Sequence, residues 1–410
     1  MPSRGFLDAD RGRAQGPPLR DDARSSASNP ALVAVIRDEI AASGGRITFA
    51  RFMDLALYHP QHGYYLAAER RPGRGGDFLT APEATPYFGI TLARQIAEFW
   101  QRLGRPGPFE IREYGAGIGG LAYDVIAGLS TAAPEAAKAL RYRLVEINEH
   151  RLAQALAAFD EVGLAHVVVS ETPGDALEPI TGVALANEVA DALPVHRLVL
   201  RNGEWRERYV VWQDGWFGEE ERPPSDAAVG AGAAVLGEGV TLADGDAIDV
   251  SPAAAAWFAG VGHGLARGYA LVLDYGYPAR ELYRTHRLAG TVRGYHAHAV
   301  TDDPFRRVGA QDLTAHVDFT ALQRAGETAG LRLAGFTTQG AFLASLGLGD
   351  FLLELQADPT TTLPDYLRAQ TAILRLIDPG GLGRFGVLMM AKHAPVEPPL
   401  RGLTEKPPRF

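Results

Sequence analysis

The stretch that decides the fold of this 410-residue chain is REYGAGIGGLAYD, residues 112–124. The apolar run FEIREYG leads into the glycines and predicts a strand, and GLAYDVIAGL follows them and predicts a helix. A glycine turn between a strand and a helix presents backbone N–H groups to a ligand. Gly115, Gly117 and Gly120 also match G-x-G-x-x-G, which alone would suggest NAD or FAD. A tight turn that only allows close helix–strand packing is the alternative.

The segments around this turn alternate between strand and helix patterns. The predicted strands are YRLVEIN, HVVVS, GVALANEV and YALVLDYG, and HRLAQALAAF is a predicted helix between the first two. This spacing predicts a parallel sheet of βα units. The chain then closes with a helix (DFTALQRAGETAG), a strand (LRLAGFTTQ), a helical segment and a last strand (RFGVLMMAKH).

Two features favour S-adenosyl-L-methionine (SAM) over a dinucleotide. Glu113 lies two residues before the first glycine and completes E-x-G-x-G-x-G. A carboxylate there suits a ligand with an α-ammonium group, whereas it would repel a pyrophosphate. The closing order also matches the seven-stranded methyltransferase sheet, whose last strand is antiparallel between its neighbours. The predicted fold class is therefore α/β, a class I SAM-dependent methyltransferase with a Rossmann-like sheet, an N-terminal helical extension and insertions.

Acidic residues after the second and third strands complete the predicted cofactor site. Glu146 ends YRLVEIN, where a carboxylate can accept hydrogen bonds from both ribose hydroxyls, although it could also be a solvated strand-end residue. Asp175, which precedes Ala176, could accept from the adenine amino group or be an ordinary turn residue. The full predicted cofactor-binding set is Asp77, Thr80, Glu83, Glu113, Gly115, Gly117, Gly119, Glu146, Asp175, Ala176 and Asn187.

A second glycine-rich segment, GGDFLTAPE, precedes the first strand of the sheet. Asp77, Thr80 and Glu83 could hydrogen-bond the methionine part of SAM or the incoming substrate, and Gly75-Gly76 would give a lid its flexibility. The alternative is a structural turn that Asp77 caps.

Five segments occur in one order along the chain: LYHPQHGYYL, GDFLTAPEATPYFG, EYGAGIGGL, ANEVADALPVHR and DLTAHVDF. Together they resemble the MidA family of SAM-dependent methyltransferases over roughly residues 45–345. The resemblance implies SAM as cofactor and, by analogy with a mitochondrial member, methylation of an arginine on a respiratory complex I subunit. The chain departs from the family pattern at Ala116, where proline is usual, and at Thr85, Pro86 and Ile90.

The segment ANEVADALP begins at the carboxyl end of the fourth strand, where ligands bind in such sheets. Glu188 and Asp191 are the predicted catalytic carboxylates, because a guanidinium is always protonated and needs acids to hold and orient it. An N-cap is the alternative for Asp191. The predicted mechanism is direct in-line methyl transfer with no covalent enzyme intermediate.

Histidines supply the remaining candidates. His316, in LTAHVDF, is predicted to bind substrate or relay a proton, whereas Asp318 is equally well explained as the N-cap of the next helix. His296 and His298 have an i, i+2 spacing but no third clear ligand, so no metal site is predicted.

The amino-acid composition limits the binding partners, metal sites and compartments that are expected for this chain. The 40 basic and 49 acidic residues give a net charge of −9, which provides no footprint for DNA binding. The chain has no cysteine, so disulfides and thiolate zinc sites are excluded. No window is apolar enough for membrane insertion, and residues 1–29 lack the apolar core of a secretory signal. These features predict a cytoplasmic protein, with a protein substrate and a homodimer as candidate associations.

The predicted domain organisation has four parts. They are a disordered leader (1–29), an N-terminal helical region with a lid (30–104), the methyltransferase domain (105–393) and a C-terminal tail (394–410). Insertions are predicted near 202–265 and 341–378, and the first could be a dimer contact or a substrate platform. Two alternatives to arginine methylation stay open: methylation of a small molecule, and a catalytically inactive SAM-binding assembly factor.

Overall fold

The computed structural model describes residues 27–66, 81–171, 178–234, 242–283 and 290–404. In chain order its strands are β1 (Arg46–Thr48), β2 (Phe109–Tyr114), β3 (Leu140–Val145), β4 (Val168–Glu171), β5 (Ile180–Asn187), β6 (His196–Arg201), β7 (Glu204–Gln213), β8 (Trp216–Arg222), β9 (Ala247–Val250), β10 (Leu265–Asp274), β11 (Gly276–Tyr277), β12 (Arg293–His296), β13 (Ala299–Thr301), β14 (Asp312–Thr314), β15 (Val317–Asp318), β16 (Arg332–Thr338) and β17 (Gly386–Lys392). The α-helices are α1 (Pro30–Ala42), α2 (Phe49–Tyr58), α3 (Ala81–Ala84), α4 (Tyr87–Arg102), α5 (Gly120–Ala132), α6 (Pro134–Lys138), α7 (Glu149–Glu161), α8 (Ala227–Ala234), α9 (Pro252–His263), α10 (Ala279–Leu282), α11 (Phe319–Thr328), α12 (Gln339–Ser345), α13 (Asp350–Ala357) and α14 (Leu363–Ile377).

A seven-stranded sheet forms the centre of the fold, in the order β16-β17-β10-β5-β2-β3-β4. Strands β10, β5, β2, β3 and β4 are mutually parallel, whereas β17 is antiparallel to both β10 and β16. This is the predicted class I arrangement with its antiparallel last strand, and the fold class is confirmed. The carboxyl ends of β2, β3, β5 and β10 meet at one edge, which is where a ligand is expected.

A second sheet joins the N-terminal region to the insertion after the fourth strand of the main sheet. Its order is β1-β7-β6-β9, with β8 paired to the other side of β7. Ile47 of β1 pairs with Val210 of β7, so residues predicted as separate parts share one sheet. The insertion occupies residues 196–250, and α9 then packs Phe258 against the main sheet.

Aromatic side chains pack helix α2 against the second sheet. Phe52 lies 5.0 Å from Phe305 and 5.5 Å from Phe217, measured between ring centroids, and Phe49 lies 5.7 Å from Phe52. These rings come from α2, β8 and the segment before β14, all far apart in sequence. Burial of such large apolar groups stabilises the contact by about 1.5–3 kcal/mol per side chain.

Local contacts fix the start of α2 and the place of the chain's C-terminal segment. Helix α2 starts at Phe49, because Ile47 belongs to β1 and the Thr48 hydroxyl caps the helix by accepting from the N–H of Arg51 at 3.1 Å. The C-terminal tail packs on α4: Leu400 is fully buried, and the N–H of Gly402 donates to Gln95 at 2.9 Å.

The structure bears on the predicted leader, the predicted helical segment near the C-terminus and the predicted absence of membrane helices. Residues 1–26 of the predicted leader lie outside the described ranges, but the N–H of Asn29 donates to Val308 at 2.9 Å. Segment 341–378 is helical as predicted, in α12 to α14. Within the described ranges, no helix is both long and apolar enough to cross a bilayer.

Candidate active site

A cavity of about 1220 Å³ opens at the carboxyl edge of the main sheet. Its wall combines the glycine turn, the ends of β3 and β5, the α2 region and the small β12–β14 sheet. Typical small-ligand sites measure roughly 300–1,000 Å³. The cavity is therefore large enough for a cofactor and part of an acceptor.

The glycine turn shapes one side of this cavity. Gly115 and Gly117 have φ angles of 70° and 56°, and a Cβ on Gly115 would lie 2.8 Å from Cγ2 of Val189. Both residues line the cavity. Gly119 is not among the described lining residues; it is the N-cap of α5, and its missing side chain makes room for the ring of Phe159.

Glu146 meets the glycine turn where the sequence predicted the ribose-binding acid. The N–H of Gly117 donates to its Oε2 at 2.8 Å, and the N–H of Asn148 donates to its Oε1 at 2.9 Å. The residue is only 7% exposed, and it lines the cavity. These bonds fix the carboxylate beside the turn, so it is placed to accept from ribose hydroxyls.

Glu113 lies deeper, below the turn. The Tyr142 hydroxyl donates to its carboxylate at 2.6 Å, and both residues are buried. Burial raises the pKa of Glu113 to about 8, against the opposing effect of the Tyr142 hydrogen bond. Glu113 borders the cavity, and its direct contact with a cofactor stays a prediction.

A buried aspartate that the sequence analysis missed holds the turn carrying Glu188 and Asp191. Oδ2 of Asp274 accepts from the N–H groups of Val189, Ala190 and Asp191 at 3.1, 2.8 and 3.3 Å. Its Oδ1 accepts from the N–H of Tyr275 at 2.7 Å. Burial raises the pKa of Asp274 to about 7, whereas these four donors act in the opposite direction.

The two predicted catalytic carboxylates, Glu188 and Asp191, line the same cavity as the glycine turn. Oε1 of Glu188 accepts from the N–H of Ala81 at 3.3 Å and from Nδ2 of Asn187 at 3.1 Å. Burial and the charge of Asp274 raise the pKa of Glu188 to about 8, and burial with the same neighbour raises the pKa of Asp191 well above its usual range.

The described part of the chain gives these two carboxylates no charge compensation. Among the described residues, no lysine or arginine forms an ion pair with Glu188 or Asp191. Like-charged carboxylates that are buried together are unfavourable unless a cation or a proton compensates them. The side-chain oxygen Oδ1 of Asn187 is also buried without a hydrogen-bond partner in the described part of the chain. This wall is therefore built to accept donors and positive charge.

Tyrosines and an aspartate that sequence reasoning missed form the far side of the cavity. Tyr58, Tyr65 and Asp312 line it, and all three stand inside segments that carry the family resemblance, LYHPQHGYYL and DLTAHVDF. The family resemblance therefore marked both segments as important, but nothing in the sequence alone shows that they lie next to each other in the fold.

The other predicted residues have different outcomes. Glu83 lines the cavity from α3. His316 is not among the described lining residues; it lies behind the wall, edge-on to Tyr275 with ring centroids 4.1 Å apart, so its role in substrate binding stays a prediction. Asp318 accepts from the N–H groups of Thr320 and Ala321 at 2.9 and 3.1 Å and is the N-cap of α11. Asp77, Thr80, Asp175 and Ala176 lie outside the described residues.

This geometry agrees with the comparison against protein families. Residues 91–337 match the model of a family described as "Putative S-adenosyl-L-methionine-dependent methyltransferase". The chain belongs to this methyltransferase family. The predicted cofactor, SAM, and the predicted resemblance to the MidA family are thereby confirmed.

Solved and curated relatives of this methyltransferase cover most of its length. A COG1565 superfamily member from Burkholderia thailandensis, solved bound to S-adenosyl-homocysteine, is 35% identical, with a TM-score of 0.82 over 95% of this chain and 98% of that one. The Drosophila melanogaster protein arginine methyltransferase NDUFAF7 homolog is 27% identical over 90% of this chain and 86% of its own length. The rat protein arginine methyltransferase NDUFAF7 is 27% identical over 78% and 75%.

The comparison corrects one prediction. Both curated relatives are named mitochondrial proteins, so the prediction of a cytoplasmic protein from the N-terminal composition is wrong. That prediction rested on the absence of an apolar membrane or signal segment, and this feature does not determine the compartment.

The residues at this edge fit SAM. The turn at Gly115 and Gly117 leaves backbone space, Glu146 offers acceptors to hydroxyl groups, and Oδ1 of Asn187 is a buried acceptor with no partner among the described residues. An acceptor-rich wall matches a ligand that carries ribose hydroxyls, an ammonium and a sulfonium.

Proposed function

We propose that this methyltransferase acts on a nitrogen of a protein arginine. The observation that carries the proposal is the pair Glu188 and Asp191, two carboxylates that line the cavity and have no basic partner among the described residues. A guanidinium matches that wall in charge and supplies several N–H donors in a fixed plane. The names of the curated relatives, protein arginine methyltransferases, support the same acceptor.

In the proposed mechanism the chain aligns the two reactants and manages one proton. Bound SAM supplies an activated methyl group on its sulfonium. Gly115, Gly117 and Glu146 hold the cofactor, while Glu188 and Asp191 orient the acceptor nitrogen. A new N–C bond forms as the S–C bond breaks, and the nitrogen then loses a proton.

Glu188 is the proposed acceptor of that proton. Its pKa of about 8 lies close to neutrality, which suits a general base. A bound guanidinium lowers this pKa through charge attraction, so Glu188 is ionised when the acceptor is present.

The finer assignments rest on the same proposal. A respiratory complex I subunit, which the family resemblance implies, is the first protein to offer as acceptor. A homodimer, the division into domains and a substrate-platform role for the insertion stay predictions. Methylation of a small cationic molecule is the competing function, because such a molecule would satisfy the same carboxylates.

The test is transfer of a labelled methyl group from SAM to proteins in a cell lysate, followed by hydrolysis and identification of the methylated amino acid. Methylarginine in the protein fraction supports the proposal, whereas label confined to small molecules or to lysine contradicts it. Glu188→Gln should lose transfer. Glu354→Gln, which makes the same change at an exposed position on α13, should keep it.

A further inference from the structure

The cavity wall away from the glycine turn is aromatic and tied together by hydroxyl groups. The rings of Tyr58 and Tyr65 stack with centroids 5.6 Å apart and an interplanar angle of 22°. The Tyr58 hydroxyl donates to the carbonyl of Ala192 at 3.0 Å, and the Tyr65 hydroxyl donates to Oδ1 of Asp312 at 2.8 Å. Two tyrosines of the N-terminal region thus contact the turn after Asp191 and the strand β14.

Asp312 adds a third carboxylate to Glu188 and Asp191, which are proposed to orient the methyl acceptor. The part of the cavity wall formed by these three residues with Tyr58 and Tyr65 is called the acceptor side. Asp312 is 7% exposed, and it lines the cavity together with Asp191. The two charges are close enough to disfavour ionisation of Asp191. The phenol hydroxyl of Tyr65 donates a hydrogen bond to Asp312 and so orients this carboxylate at the cavity wall.

The position of Tyr65 is linked to the cofactor side. Its carbonyl accepts from Nδ2 of Asn148 at 2.8 Å, and the N–H of Asn148 donates to Glu146 at 2.9 Å. Hydrogen bonds therefore run from Glu146 through Asn148 and Tyr65 to Asp312. The acid predicted to hold ribose and the acid on the acceptor side are held in one arrangement.

We propose that Asp312, oriented by Tyr65, binds the positively charged guanidinium of the acceptor and makes the enzyme prefer it over a neutral side chain of the same shape. The inference rests on the proposed function, whose cavity it shares. The tyrosine rings beside Asp312 add a surface suited to a planar cation. Asp312 is a substrate-binding residue in this assignment, and Tyr65 is a positioning residue.

The test compares two short Gly/Ser peptides, one with a single arginine and one with citrulline at the same position. Citrulline keeps the planar shape and lacks the charge. Calorimetric titration with saturating S-adenosyl-homocysteine should show that the wild-type protein prefers the arginine peptide. Asp312→Asn should weaken binding of the arginine peptide about tenfold. A hydrogen bond between charged groups is stronger than one between neutral groups, and the difference corresponds to about a tenfold change in affinity. Its affinity for the citrulline peptide should not change.

Matched variants separate recognition from folding. Asp302→Asn removes the same charge from the neighbouring loop, where the side chain is 85% exposed, and should keep the full preference. Tyr65→Phe should lose part of the preference, whereas Tyr123→Phe, on the exposed face of α5, should not. Asp312→Glu should recover part of it. Titration of each variant with S-adenosyl-homocysteine shows whether the cofactor side is intact.

The outcomes are distinguishable. If the wild-type protein binds both peptides equally, the arginine acceptor and this inference both fail. If the wild type prefers arginine and Asp312→Asn keeps that preference, only this inference fails. In turnover with the arginine peptide, Asp312→Asn should raise KM much more than it lowers kcat. If Asp312→Asn fails to bind S-adenosyl-homocysteine, the inference is tested with Tyr65→Phe instead. An unchanged preference of that variant for the arginine peptide over the citrulline peptide then overturns the inference.

Discussion

Glu188 should weaken the folded protein at alkaline pH, and Glu188→Gln should remove that effect. Burial and Asp274 raise the pKa of Glu188 from 4.5 to about 8. The folded state then binds the proton more tightly than the unfolded state, so the free energy of unfolding falls as pH rises from about 4.5 to about 8.

The size of the effect follows from that interval. About 3.5 pH units at 1.36 kcal/mol each give an upper bound of about 5 kcal/mol. Glu188 borders an open cavity and keeps some contact with solvent, so screening reduces the expected value to about 2 kcal/mol. For a chain of this length, that corresponds to roughly 2–3 °C in melting temperature.

The assay is denaturant unfolding at pH 5 and pH 9 without cofactor. Glutamine keeps the shape of protonated Glu188 and can still accept from Ala81 and Asn187, so the variant should match the wild type at pH 5. At pH 9 it should be more stable by about 2 kcal/mol. Glu354→Gln, at an exposed position, should show no such pH dependence. An equal difference at both pH values, or a less stable variant at pH 9, would refute the reasoning.

Three further substitutions test the framework of the site. Asp274→Asn keeps one oxygen for four N–H donors, so it should lower stability by about 2 kcal/mol in thermal unfolding and reduce methyl transfer at least tenfold. Gly115→Ala, with φ of 70° and a contact with Val189, should weaken binding of S-adenosyl-homocysteine in calorimetry, whereas Gly349→Ala, at an exposed glycine with φ of −65° before α13, should leave that binding unchanged. Arg112→Ala removes a fully buried guanidinium that bonds Glu171 at 2.5 Å, and should cost about 3–5 kcal/mol in urea unfolding, whereas the exposed Arg141→Ala should cost little.

The cofactor side of the cavity could be predicted because its signals are local. The glycine turn fixes the link between β2 and α5, and parallel pairing of β2 with β3 then brings Glu146 to the same edge. Glu188 follows β5 for the same reason. Each of these positions depends on a residue's distance from a strand end, which the sequence shows directly.

The acceptor side could not be predicted because it depends on contacts between distant segments. Pairing of β1 with β7 joins residues about 160 positions apart, and Tyr65 meets Asp312 across a separation of 247. Asp274 was missed for another reason. An aspartate at a strand end is usually solvated, and only the fold shows that the backbone of residues 189–191 turns its N–H groups toward it.

Different parts of the fold form the two sides of the cavity, and this has a consequence for substrate specificity. The aromatic cluster of Phe49, Phe52 and Phe305 fixes the N-terminal helices on the second sheet, and this unit carries Tyr58 and Tyr65 to the cavity. The main sheet supplies the glycine turn and Glu146, the predicted ribose-binding acid. Under the proposed function, a change in the N-terminal unit would therefore alter the choice of acceptor while SAM binding is kept. Because the hydrogen bonds of Asn148 join the two sides, such a change is tolerated only where Tyr65 keeps its backbone position.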